Sequence, residues 1–198
     1  MPHGDFACNM DQDNGCVRDK FMNLIEPVAA SLPYVTCPGN HEERYNFSNY
    51  KARFSMPGNS EGLWYSWDLG PAHIISFSTE KANKNRTAPP WIITMGHRPM
   101  YCSSADLDDC TWHESKVRKG LLGKFYGLED PFYKYGVDLQ LWAHERSYER
   151  LWPIYNYHVF KGSREMPYTH PRGPIHIITG SALSRVGGGE VLLWPLIY

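Results

Sequence analysis

Four short clusters in this sequence carry side chains that can bind a metal ion or move a proton. Gly39-Asn40-His41-Glu42 follows the run Tyr34-Val35-Thr36-Cys37-Pro38, and Gly96-His97-Arg98-Pro99 follows Trp91-Ile92-Ile93-Thr94-Met95. His144-Glu145-Arg146 follows an apolar stretch over 137–143, and Gly4-Asp5 lies near the start. In open α/β sheets, loops at the carboxyl ends of strands collect ligands, so residues distant in sequence can meet there. Asp5, Asn40, His97 and His144 would supply one carboxylate, one amide oxygen and two imidazoles, a donor set suited to a divalent first-row metal. Glycine ahead of a candidate ligand lets the backbone turn sharply off its strand. A lone histidine after a strand is more often a hydrogen-bonded surface or core residue, so the weight rests on the ordered series.

The elements that must position these clusters alternate short apolar runs with helical stretches, which predicts a layered α/β domain. Phe21, Leu24, Ile25, Val28, Ala29 and Leu32 recur at helical spacing after Asp19, with Pro27 inside the stretch. Strands are expected at 34–37, 64–69, 73–79, 91–95, 137–142 and 175–179. Helices are expected at 114–126 and 129–135, the second with Pro131 in its first turn. Residues 81–90 are polar, end in Pro-Pro and suggest a loop. The tail, with Gly187-Gly188-Gly189 and then an apolar run to Tyr198, is either a turn feeding an edge strand or an atypical terminus.

The chain has 198 residues, with 20 Lys+Arg against 21 Asp+Glu and a formal net charge of −1. Near-balance argues against a broad nucleic-acid-binding surface, which needs a basic excess. The longest apolar run is too short to cross a bilayer, which takes about 20 residues in a helix. Five cysteines leave at least one unpaired within the chain, and Cys102 with Cys110 or Cys8 with Cys16 could close short loops. Two tripeptides, Asn46-Phe47-Ser48 and Asn85-Arg86-Thr87, match the N-glycosylation pattern and point weakly to the secretory route.

The series Gly4-Asp5, Gly39-Asn40-His41-Glu42, Gly96-His97-Arg98-Pro99 and His144 through Arg150 resembles the metallophosphoesterases. More narrowly, it resembles the iron/zinc purple acid phosphatase-like proteins of animals; Trp152-Pro153-Ile154-Tyr155 and Ile178-Thr179-Gly180-Ser181 fit the same family. The resemblance implies an α/β sandwich of two mixed sheets flanked by helices, occupying 1–182 as an incomplete domain, with 183–198 as an atypical tail. It implies hydrolysis of phosphate monoesters with iron and zinc as cofactors. Asp5 would bridge two metals, Asn40, His97 and His144 would complete one of the two sites, and His41 would assist the leaving oxygen.

Against the family pattern, the other site has lost ligands. An Asp motif expected ahead of Gly4-Asp5 has no counterpart, Cys8 stands where the family has Tyr, and Arg146 stands where it has His. A guanidinium cannot coordinate a metal, whereas Cys8 could ligate zinc as a thiolate. Arg146, two residues after His144, would face the same side if the segment stays extended. The expected function is therefore an acid phosphatase of impaired activity. The alternatives are a non-catalytic protein holding one metal or a phosphate and, less favoured, a phosphodiesterase. The resemblance and the two tripeptides together place the chain in the secretory or extracellular route.

Overall fold

The computed structural model describes residues 4–7, 9–79, 91–105, 107–121, 125–162, 165–166, 168–169 and 171–180. Cys8, Asn85, the expected loop at 81–90 and the tail at 183–198 lie outside them. Two helices come first, α1 (Cys16–Ala29) and α2 (Arg44–Lys51), the latter irregular because Tyr45, Asn46 and Phe47 have positive φ. Strands β1 (Trp64–Leu69), β2 (Ala72–Phe77) and β3 (Trp91–Gly96) follow. Next come α3 (Lys116–Lys119), the short strands β4 (Gly120–Leu121) and β5 (Phe125–Tyr126), α4 (Glu129–Lys134) and β6 (Leu139–Trp142). The chain continues through β7 (Tyr148–Arg150), the ribbon β8 (Ile154–Tyr155) and β9 (His158–Val159), and β10 (Ile175–Thr179).

Six strands form one mixed sheet in the order β1-β2-β3-β6-β10-β7, and β4-β5 and β8-β9 form two-stranded ribbons. The four central strands run parallel, and the antiparallel strands β1 and β7 occupy the edges. Parallel strands buried on both faces read as continuous apolar runs, as Ile74-Ile75 and Ile92-Ile93 do. One apolar cluster packs Phe77, Met100, Tyr101, Val117 and Ile178 around the fully buried Trp142. A second packs Phe6, Met10, Phe47, Tyr50, Phe54 and Leu63 beneath α1.

Three sequence expectations need correction. Residues 34–37 make only a single bridge at Cys37 rather than a strand. The reason lies at Thr36, whose carbonyl accepts the hydroxyls of Tyr50 and Tyr65 and whose N–H meets Met56 Sδ, so side chains occupy its ladder positions. The helix expected over 114–126 is one turn, because Gly120 at φ +81° leaves the helical region and starts the β4-β5 ribbon. Helix α1 half-buries Phe21, Met22 and Ile25 against the Phe6 cluster, whereas Leu24, Val28 and Leu32 are each at least half exposed. Pro27 does not end this helix.

Candidate metal centre

The register between β3 and β6 brings two of the candidate ligands together. Gly96 lies opposite Trp142 on parallel neighbours, so the chain leaves both strands at the same sheet edge. The Ala143 N–H donates to the His97 carbonyl at 3.0 Å and extends the ladder by one step. His97 emerges there fully buried, and His144 lies against it with its ring edge-on, centroids 4.9 Å apart. Asn40 opens a short 3-10 turn (Asn40–Glu42) after the Cys37 bridge, and Asp5 precedes the Phe6 bridge.

The backbone is under local constraint at this edge. Asp5 (φ +54°) and His144 (φ +60°) both sit in the left-handed region, which non-glycine residues occupy at a cost and which clusters at functional sites. Gly4 and Gly39 touch: a Cβ on Gly4 would meet Gly39 N at 2.4 Å, and one on Gly39 would meet Asp5 Oδ1 and His97 Cε1 at 2.6 Å. Only glycine leaves room for the two loops to close on His97.

His97 Nε2 lies 2.9 Å from Asn40 Oδ1, 3.3 Å from Asp5 Oδ2 and 3.1 Å from His144 Nδ1, and His144 Nδ1 is 4.0 Å from Asp5 Oδ2. Ligands about 2.0–2.2 Å from one ion in a four- to six-coordinate shell stand roughly 3.0–3.5 Å apart. Three of these separations match neighbouring donors, and the 4.0 Å pair matches donors about 4.0–4.4 Å apart on opposite sides of such a shell. The set can therefore face one divalent cation, and it converges from four separate segments. Burial pushes the Asp5 carboxyl up, but the hydrogen bond and charge of His97 and the backbone N–H and charge of His41 outweigh it and hold it below the usual range. Burial and the Arg98 charge lower the His144 pKa, opposed by Asp108. Both shifts favour the deprotonated forms that bind metals.

His41 stands beside the cluster rather than in it. Its Nε2 is 4.0 Å from Asp5 Oδ2, and its Nδ1 lies 2.6 Å from Asn9 Oδ1. An amide oxygen only accepts, so Nδ1 carries the proton and Nε2 is left open. The extended geometry that would set Arg146 on the side of His144 is not kept. The left-handed turn at His144 breaks the extended alternation, and Arg146 is exposed, making no ion pair among the described residues. Asn46 is exposed on α2.

Three side chains to which the sequence assigns no role complete the site. Glu42 is buried, and its carboxylate accepts the N–H groups of Asp5 (2.7 Å), Phe6 (3.1 Å) and Gly39 (2.9 Å), fastening the first two loops to each other. A Glu at the third position of a turn opening at Gly39 is half of a capping box, a signal that was available. Asn9 orients His41, and Asp108 lies against His144 Nε2. Asp108 falls between two cysteines that pair as Cys102–Cys110.

A calcineurin-like phosphoesterase family model matches residues 3–148. Acid phosphatase type 7 of Homo sapiens is 77% identical over 203 residues, which cover 90% of this chain and 46% of the relative. The Mus musculus protein of the same name is 71% identical over 218 residues, covering 98% and 49%. Among solved structures, a purple acid phosphatase from yellow lupin seeds superposes with a TM-score of 0.64 at 25% identity, covering 90% of this chain and 36% of that one. The chain spans about half the length of the curated relatives it matches.

Proposed function

We propose that this chain, which belongs to the calcineurin-like phosphoesterase family, forms the metal-holding part of an acid phosphatase acting on phosphate monoesters. The observation that carries the proposal is the convergence of Asp5, Asn40, His97 and His144 at one sheet edge with donor spacings suited to one ion. These four residues would hold the metal, with zinc or iron as the ions matching an imidazole and carboxylate set. When bound, such an ion neutralises phosphate charge and acidifies water. Asp5 adds the only carboxylate among the four donors, keeping a divalent site net positive towards a phosphate. His41, its Nδ1 proton tied to Asn9, has Nε2 available to hold a proton and deliver it to the departing alkoxide.

The disulfide Cys102–Cys110 supports an oxidising, secretory location, because such bonds persist there. The exposed Asn46 would be available for glycosylation in that route. No helix of the described residues is long and apolar enough to cross a membrane. A second reading, a single-metal or phosphate-binding protein without turnover, is favoured by the donor set itself, because Asp5, Asn40, His97 and His144 converge on one position. Metal analysis of the purified chain, with p-nitrophenyl phosphate hydrolysis at about pH 5, separates the two. We expect one tightly held ion per chain and slow turnover that His97→Ala abolishes. Metal without turnover selects the second reading, and absence of both refutes the metal centre. A kcat in the ordinary range of roughly 1–10³ s⁻¹ would refute the impairment.

A further inference from the structure

We propose that Asp108 is the positioning residue that commits His144 to binding metal through Nδ1. Asp108 Oδ2 lies in close contact with His144 Nε2. An ionised carboxylate only accepts hydrogen bonds, so Nε2 must carry the ring proton and Nδ1 the lone pair. Nδ1 is the atom that faces His97 Nε2 at 3.1 Å. Asp108 is itself held from several sides. Arg98 Nη1 donates to its Oδ1 at 3.1 Å and also lies 3.0 Å from His144 Nε2. The Asp109 N–H donates to Oδ1 at 2.6 Å, and Thr111 Oγ1 donates to the Asp108 carbonyl at 2.7 Å. The disulfide Cys102–Cys110 closes the segment, and Ser104 Oγ donates to the buried Glu145 next to His144 at 2.9 Å. A carboxylate on the far nitrogen of a ligating histidine fixes its tautomer and ring angle and raises its basicity.

The proposal rests on the metal centre formed by Asp5, Asn40, His97 and His144. Its test is Zn²⁺ affinity of the full chain, measured by chelator competition for the wild type, Asp108→Asn, Asp108→Ala and His144→Ala. A second readout is the long-range ¹⁵N NMR pattern of the His144 ring in the zinc-loaded protein. Asp108→Ala should weaken Zn²⁺ binding by about 10–100-fold, Asp108→Asn less, and the wild-type ring should be protonated at Nε2. Thermal unfolding of the zinc-free proteins identifies any variant that merely fails to fold, and Asp108→Asn keeps the side-chain shape. Equal affinities for wild type and both Asp108 variants overturn the proposal. So does Asp108→Ala binding as weakly as His144→Ala, which would make Asp108 a ligand. A wild-type ring protonated at Nδ1, with Arg98 donating to Nε2, overturns it as well. A wild-type chain that binds no Zn²⁺ refutes the metal centre itself, and this proposal with it.

Discussion

His176, on β10 with 1% of its surface exposed, sets a test of how the fold tolerates acid. Trp142 Nε1–H donates to its Nδ1 at 3.1 Å, which requires the neutral ring with its proton on Nε2. Nε2 has no hydrogen-bond partner among the described residues. Burial holds the pKa at about 3, against 6.5 for the free side chain. For a base whose folded pKa is depressed, the stability it contributes is present above the unfolded pKa and is lost as pH falls from about 6.5 towards 3. Between about pH 7.5 and pH 5 the unfolded imidazole takes up its proton and the folded one does not. At 1.36 kcal/mol per unit, about 1.5 units cost about 2 kcal/mol. His176→Asn removes the titration while its Oδ1 can still accept from Trp142. The smaller side chain lowers stability by roughly 1–2 kcal/mol at every pH. Urea unfolding followed by tryptophan fluorescence at the two pH values gives the double difference. The wild type should lose about 2 kcal/mol more than the variant on acidification. Equal losses in the two proteins would refute a neutral, buried His176. The loss falls in the acid range where the proposed phosphatase would work.

Glu42→Gln replaces an acceptor of three N–H groups by a side chain with one acceptor oxygen, so unfolding free energy should fall by about 2 kcal/mol; an unchanged urea midpoint would refute its role as fastener. Gly39→Ala places a Cβ within 2.6 Å of Asp5 Oδ1 and His97 Cε1, and Zn²⁺ affinity by chelator competition should drop at least about tenfold. Retained affinity would mean that the loops separate without disturbing the donors. Arg146→His should leave the bound-metal count unchanged, because residue 146 is exposed beyond the turn at His144; a second tightly held ion in metal analysis would contradict this.

The residue types and order of the four clusters were legible from sequence because their chemistry is local. Glycine precedes Asp5, Asn40 and His97, and the strand leading to His97 shows itself as an apolar run of nearly the observed length, whereas the strand leading to His144, expected over 137–142, spans only Leu139–Trp142. Strands 64–69 and 175–179 were legible to the residue for the same reason. Side-chain bonds to backbone made from far along the chain were not. Tyr50 and Tyr65 capture the Thr36 carbonyl and abolish the strand expected at 34–37. Gly120 carries no mark in sequence that distinguishes a helix stop from a tolerated interior glycine.

Sequence alone determined which donors this protein offers: a carboxylate, an amide and two imidazoles, with an arginine at 146. Tertiary structure decided which atom each one presents. The parallel register of Gly96 with Trp142 sets His97 beside His144, and Glu42 ties Asp5 to Gly39 across some 35 residues. Asp108, closed in by a disulfide, selects between the two nitrogens of His144. A metal site depends on the direction of lone pairs to within a fraction of an ångström. Those directions come from packing and hydrogen bonds between segments that are distant along the chain.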